Sequence, residues 1–487
     1  MTTTGEGGKS LSSLLSPVTV NPNIIEMEYA VRGPIPMRAA ELEKQGMKII
    51  PCHIGNPQAL GQSPLAYNRQ VLSLVEEPSK IARERALKNM FEETPGSDIK
   101  ESDFVPDDVL TVSENILAHM KAGGTGAYTE SKGERFIREA VAEFIDKRDG
   151  YGKSNGVSSD PEKIFLTSGA SQGVKFVIDL LIAQSDDGIM VPIPQYPLYS
   201  ATIKKAGGVQ VNYYPDEDSG WSFDQALLEE SFNKARRDGI TVKGIVVINP
   251  GNPTGAVLSE QSIRTVIAFA KEHRLVILAD EVYQENVYAG EFVSFAKALG
   301  ADTVPLFSFH SISKGFFGEC GHRGGYLEVR NPPHIQGTDF DFVDMLTKQA
   351  SVSLCANTPG QLLTYLMVTP PPEGGRSYQQ FVREKHRILK DLKDKATMIR
   401  AAFTQMEGVE CFGETGAMYL FPRLNKLPAG KTDFDYCMAL LEGTGLCTVN
   451  GAGFGQKEGT SHLRIAFLPP QELLAQVLPE WIKFHND

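Results

Sequence analysis

The 487-residue chain has no C-x-x-C pair, no metal-ligand spacing among its histidines and no surplus of positive charge. Each absence removes a class of function. Its six cysteines (Cys52, Cys320, Cys355, Cys411, Cys437 and Cys447) are scattered, so a zinc site or a thioredoxin-type motif has no support. Free thiols in a reducing compartment are the expectation. Nine histidines occur without H-x-x-x-H or any similar cluster, and no metal is expected. A net charge of −12 disfavours bulk-charge binding to nucleic acid or to anionic membranes. A single arginine can still hold an anionic substrate. There is also no apolar run of about 18 residues, so no spanning helix is expected. Residues 1–23 lack arginine and a long apolar stretch, which argues against a secretory signal and against a mitochondrial transit peptide. The cytoplasm is the expected location, with the mitochondrion as the alternative.

The chain is long enough for two or three domains, and its composition, 41 % hydrophobic and 22 % charged, is that of a globular protein. Residues 1–35 read as an irregular arm with Pro17, Pro22 and Pro34. Residues 36–120 read as the first part of a small domain, in which 62–120 form a charge-dense helical stretch, taken as a surface insertion or extended helical segment. Residues 121–375 read as a large domain and 376–487 as the rest of the small α+β domain. In the large domain, short apolar runs recur at 164–166, 188–191, 209–211, 245–248, 276–279, 305–307 and 325–329. Amphipathic windows lie between them, such as 172–183 and 260–273. Continuous apolar strands alternating with such helices predict an α/β fold: a mixed, mostly parallel, seven-stranded sheet covered on both faces.

Ligands of such sheets bind at the carboxyl ends of the strands. The first run leads into Ser168-Gly169-Ala170-Ser171-Gln172, a small-residue turn opening a helix, which suits a phosphate. The second leads to Tyr196, and the run at 245–248 ends in Asn249-Pro250-Gly251-Asn252-Pro253-Thr254-Gly255. The run at 276–279 ends in Asp280-Glu281-Val282-Tyr283, and the next ends in Ser311-Ile312-Ser313-Lys314, with Arg323 nine residues on. Taken singly, these are also what turns, helix caps and surface lysines look like. Together they fit pyridoxal 5′-phosphate. A desolvated Lys314 offers an amine to the aldehyde. Asp280 keeps the pyridine nitrogen protonated. Asn252 and Tyr283 donate to the ring oxygen, and Tyr196 stacks on the ring. Ala170, Ser171, Gln172, Ser311, Ser313 and Arg323 hold the phosphate.

The Asn249–Gly255, Asp280–Tyr283 and Ser311-x-Ser313-Lys314…Arg323-Gly324-Gly325 motifs resemble those of fold-type I, class I aminotransferases, over essentially residues 45–487. Gly55-Asn56-Pro57, Gly126-Ala127-Tyr128, Ile193-Pro194-Gln195-Tyr196-Pro197 and Gly318-Glu319-Cys320-Gly321-His322-Arg323 narrow the resemblance to the eukaryotic alanine aminotransferase group. The resemblance implies that Lys314, Asp280 and Tyr283 are catalytic. It implies that Arg464, with Gly55 and Asn252, binds the substrate α-carboxylate. It also implies that Tyr128 reaches the cofactor phosphate of a neighbouring subunit, and hence a homodimer acting on amino acids and 2-oxo acids. The stacking residue is Tyr196 where aspartate aminotransferases carry Trp. The implied reaction is amino transfer from L-alanine to 2-oxoglutarate in ping-pong order. The alternatives on the same scaffold are an aromatic, kynurenine or glutamate–glyoxylate aminotransferase, or a lyase resembling aminocyclopropane-carboxylate synthase. A cofactor-binding DNA regulator is disfavoured, because residues 1–35 are too short and not basic.

Two glycine motifs are set aside. Gly451-Ala452-Gly453-Phe454-Gly455 lacks a βαβ context and reads as a loop. Gly5-Glu6-Gly7-Gly8-Lys9-Ser10 lacks P-loop spacing and a preceding strand.

Overall fold

Seven strands form the central sheet of the computed structural model: β1 (Ile164–Thr167), β2 (Asp187–Pro192), β3 (Val209–Tyr213), β4 (Thr241–Ile248), β5 (Val276–Asp280), β6 (Leu306–Ser311) and β7 (Gly325–Arg330). They lie in the order β1-β7-β6-β5-β4-β2-β3. Only β7 runs opposite to the other six strands. The structure describes residues 20–28, 33–92, 100, 103–120, 123–150 and 157–487. The Gly5–Ser10 motif and most of the N-terminal arm lie outside them.

Strand alternation explains how both faces of the sheet are covered. Ile245 and Val247 of β4 join Ile277 and Ala279 in a cluster with the helix Glu260–His273, through Ile263, Val266 and Phe269. Val246 and Ile248, one residue out of phase, join Leu278, Phe307 and Phe309 against Val174, Val177 and Ile178 of the helix Ala170–Leu181. A two-residue side-chain period sends successive residues to opposite layers. Helix ends are fixed locally: the Ser259 hydroxyl accepts from Ser262 N–H at one end of the Glu260–His273 helix, and Arg274 closes the other in a left-handed conformation (φ 55°). Register aligns the ends of the central strands, pairing Ile248 with Asp280 and Asp280 with Phe309.

A second body of core joins the two ends of the chain. Helices α1 (Ala66–Glu76), α2 (Ser79–Glu92) and α3 (Asp107–His119) precede the sheet. Tyr67, Val71, Leu74 and Val75 of α1 share one cluster with Phe381, Leu392 and Ile399 of the 28-residue helix Arg376–Phe403 and with Trp481 near the C-terminus. The expected surface insertion is therefore corrected for α1 and α3, whose apolar stripes are buried; only α2, with Ile81 as its one buried residue, lies on the surface. The three- and four-residue spacing of the apolar residues in α1 is that of a core-facing helix. The arm also holds more order than expected: Pro22–Ile25 form one helical turn, and Glu26 pairs with Lys204. Gly451–Phe454 form a 3₁₀ turn rather than an open loop. No helix among the described residues is long and apolar enough to cross a membrane.

Candidate active site

A cavity of about 250 Å³ opens where β4, β5 and β6 end, with Ile248, Asp280 and Ser311 on its wall. The sheet supplies its floor. Asp280, the last residue of β5, is 5 % exposed, and its Oδ2 accepts a 2.7 Å hydrogen bond from the Tyr199 hydroxyl. Burial pushes the carboxyl up to about 6, against the pull of Tyr199, the Val282 N–H and the Lys314 charge. Oδ1 has only a long contact, 3.5 Å, from Val282 N. Such a carboxylate still has room for a cationic N–H partner, which would draw it back to the ionised form.

Lys314 follows β6 by three residues and stands half-buried on the wall, its Nζ donating to Gly55 O at 2.7 Å. Tyr283 is buried and its ring centre is 5.8 Å from Nζ. Tyr196 and Asn252 complete this part of the cavity.

The anion cradle is built from three segments. The Ser311 hydroxyl accepts from Ser313 N–H (3.1 Å) and donates to Ser313 Oγ (3.0 Å). Arg323 donates to Ser313 Oγ (3.5 Å), Ser171 Oγ (3.4 Å), Ser168 O (3.2 Å) and Cys320 O (2.9 Å). Ala170 and Ser171 open the helix Ala170–Leu181, whose cap, Gly169, has φ +82° and offers no side-chain oxygen to the first turn. A Cβ on Gly169 would overlap the Arg323 guanidinium. Glycine there leaves helix N–H groups and the guanidinium converging on one space, an arrangement that suits a phosphate. Glu319, 2 % exposed, steadies the loop: Arg69 of α1 grips both its oxygens (3.1 and 2.9 Å), and His322 Nδ1 lies 2.9 Å from it.

Arg464 lies on the opposite wall. It is 2 % exposed; Nη1 donates to Asn252 Oδ1 (3.3 Å) and Nη2 to His53 O (2.8 Å), while Nε is buried without a partner. Its guanidinium lies over the rings of both Tyr419 (4.3 Å) and Phe454 (4.6 Å). Burial, and then the Arg464 charge, push His53 down to about 4, so the nearest imidazole is neutral near pH 7.

The structure thus gathers Gly55, Ala170, Ser171, Tyr196, Asn252, Asp280, Tyr283, Ser311, Ser313, Lys314, Arg323 and Arg464 around one cavity. Gln172 is the one residue expected in this cavity that lies elsewhere; Tyr128 was expected at a neighbouring subunit's site. Gln172 is off the wall: its N–H is held by Gly169 O (3.1 Å), and its side chain accepts from Ser168 N–H (2.6 Å). Tyr128 is 78 % exposed and outside this cavity. Two residues were missed. Tyr199 sits one helical turn beyond Tyr196, in the helix Leu198–Ala206, a spacing that could have flagged it. Tyr419 lies on a two-residue strand with no sequence signature. The donor set fits pyridoxal 5′-phosphate: an amine, a buried carboxylate with one oxygen held only by a long contact, two ring-oxygen donors, an aromatic wall and an anion cradle.

Comparison with known proteins supports the same chemistry. The profile of the family described as aminotransferase class I and II matches residues 101–478. Glutamate–glyoxylate aminotransferase 2 of Arabidopsis thaliana is 44 % identical, covering 96 % of this chain and 95 % of its own. Alanine aminotransferase 1 of Homo sapiens is 42 % identical, covering 96 % and 93 %. The solved structure of an alanine aminotransferase from Pyrococcus furiosus superposes with a TM-score of 0.74 at 26 % identity, over 96 % of this chain and 99 % of that one.

Proposed function

The chain belongs to the class I and class II aminotransferase family, which depends on pyridoxal 5′-phosphate, and we propose that it moves the amino group of L-alanine to 2-oxoglutarate, giving pyruvate and L-glutamate. The observation that carries this reading is Arg464: a buried guanidinium with a free Nε, on the wall of the cavity that also holds Lys314. A buried cation with an unused donor is a receptor for one carboxylate.

Bound in this cavity, pyridoxal 5′-phosphate supplies the electron sink for the pair left when the amino acid Cα loses its proton. The protein does the rest. Arg464 fixes the α-carboxylate, with Asn252 and Gly55 beside it, and so sets Cα against Lys314. Lys314 Nζ would hold the cofactor, and the same amine, once free, is the base placed to take the Cα proton. Asp280, steadied by Tyr199, would hold the proton on the ring nitrogen. Tyr283 and Asn252 would donate to the ring oxygen, and Tyr196 would cover the ring. Ser171, Ser311, Ser313, Arg323 and the N–H groups at Ala170 would grip the phosphate. Release of the oxo acid and entry of a second one reverse the steps, which gives ping-pong kinetics.

A large domain, residues 121–375, carries the cofactor; residues 36–120 and 376–487 form the small domain, in keeping with the core they share. The active unit is a homodimer in which the exposed Tyr128 reaches the phosphate of the neighbouring subunit. Its location is cytoplasmic, with the mitochondrion as the alternative; six free thiols accord with a reducing compartment.

Glutamate–glyoxylate amino transfer is the second reading, favoured by the 44 % identical relative. A panel of donors and acceptors tests both. Turnover of L-alanine with 2-oxoglutarate, exceeding that of L-glutamate with glyoxylate and of aromatic donors, supports the first reading. Amine loss independent of any oxo acid would overturn both in favour of a lyase. Light scattering of the loaded protein at the mass of one chain would overturn the dimer.

A further inference from the structure

We propose that Tyr419 is a positioning residue with two separable ends: its ring holds the carboxylate-binding Arg464 in place, and its hydroxyl orders the reacting side of the cavity around Tyr283 and Lys314. The inference rests on the role given to Arg464 above.

Strand register brings the first end about. Tyr419 pairs with Ala466, and Arg464 lies two positions along that strand, so both side chains stand on one face of the antiparallel pair as diagonal neighbours. The ring centre then lies 4.3 Å from the guanidinium carbon, and that of Phe454 4.6 Å from it. An aromatic clamp on a buried guanidinium satisfies its faces while leaving the N–H edge free, and Nε is the donor left without a partner. The ring therefore aims the fork without competing for the carboxylate.

The second end reaches across the cavity. The Tyr283 hydroxyl donates to Tyr419 Oη at 3.5 Å, and the two rings meet edge to face at 6.1 Å. Gly55 passes so close beneath the hydroxyl that an added Cβ would overlap it; the same Cβ would stand 3.5 Å from Lys314 Nζ. Lys314, Arg464, Tyr283 and Cys320 are the titratable and charged groups facing this phenol. Burial opposes its ionisation, but Lys314, Arg464 and the Tyr283 hydrogen bond outweigh that and hold it below the ordinary tyrosine range. The oxygen is thus an acceptor suited to the cationic side of the site.

Two variants separate the ends. Tyr419→Phe keeps the ring and loses the oxygen; Tyr419→Leu loses both. Each is loaded with cofactor, checked for folding by circular dichroism, titrated calorimetrically with propionate, a carboxylate without an amine, and assayed with L-alanine. Tyr419→Phe is expected to bind propionate within about twofold of wild type while kcat falls roughly tenfold. Tyr419→Leu is expected to weaken propionate binding, and to raise KM, by roughly tenfold or more. Parallel loss of propionate affinity and kcat in Tyr419→Phe would overturn the division of roles, as would unchanged propionate affinity in Tyr419→Leu. Arg464→Lys is the control: if wild type binds propionate and Arg464→Lys binds it as tightly, the carboxylate role of Arg464 fails, whatever the Tyr419 variants do.

Discussion

The Tyr199 hydroxyl and the Asp280 carboxylate, both buried, meet through one 2.7 Å hydrogen bond at the floor of the cavity. The bond fills one carboxylate oxygen; the other takes only a 3.5 Å contact from Val282 N–H, which leaves room for the ring nitrogen of the proposed function. It also tethers a carboxylate at a strand end to the helix that begins just after Tyr196.

Removing that donor isolates a buried charge. Hydrogen bonds to charged groups contribute about 1.5–3 kcal/mol. Tyr199→Phe is therefore expected to lower kcat/KM for L-alanine by about 10- to 100-fold and to speed loss of the cofactor on dialysis. Steady-state kinetics and cofactor retention measure both. Wild-type values in the variant would mean that Asp280 needs no second partner.

The raised pKa of Asp280 has a sign that can be checked. Burial moves its carboxyl from an ordinary 3.8 to about 6, so the folded chain without cofactor holds this proton more tightly than the unfolded chain does. That contribution is complete below the unfolded value and is lost as pH rises through about 6, to an extent on the order of 3 kcal/mol. A cationic ring nitrogen restores it by pairing with the carboxylate. The gain in melting temperature on adding cofactor is thus expected to be larger at about pH 7.5 than at about pH 5. Asp280→Asn should flatten the difference. An equal gain at both pH values in the wild type would contradict the pairing.

Gly55 and Tyr419 are expected to behave as a coupled pair. Gly55→Ala sets a methyl against the Tyr419 hydroxyl, with the ring carbon bearing it 3.2 Å away. Overpacking of this kind costs about 1–3 kcal/mol. Gly55→Ala alone should lose activity by roughly ten- to a hundredfold, and adding Tyr419→Phe should recover part of that loss. A double-mutant cycle measures the coupling; strictly additive losses would show that the two do not compete for space.

Lys314→Ala should abolish the visible absorbance of the bound cofactor and reduce turnover by on the order of 10⁴-fold or more. Spectra and single-turnover assays report on the two separately. Full activity in this variant would sink the assignment of the reacting amine.

The sheet and most of the cavity were legible in the sequence because both obey local rules. Ile245–Ile248 and Val276–Ala279 are continuous apolar runs, and the residues after such runs, Asn252, Asp280 and Lys314, line the cavity that the sheet topology creates. Other parts depend on tertiary contact. Tyr419 acquires its place only when a two-residue strand pairs with the one bearing Arg464. The withdrawal of Gln172 from the wall follows from backbone and side-chain bonds within its own helix turn. The burial of α1 was readable in the spacing of Tyr67, Val71, Leu74 and Val75, but the dense charges of the adjoining α2 concealed it.

The bond from Arg464 Nη2 to the His53 carbonyl joins residues 411 positions apart. The sheet and the anion cradle, by contrast, lie within one contiguous stretch from Ile164 to Arg330. During synthesis from the N-terminus, the residues of the floor therefore emerge long before Arg464, which lies on the last strand among the described residues. Closing so long a loop comes late and slowly in folding. On the proposed reading of the site, a growing chain thus gains the residues that would hold the cofactor before the one that would bind the amino acid's carboxylate.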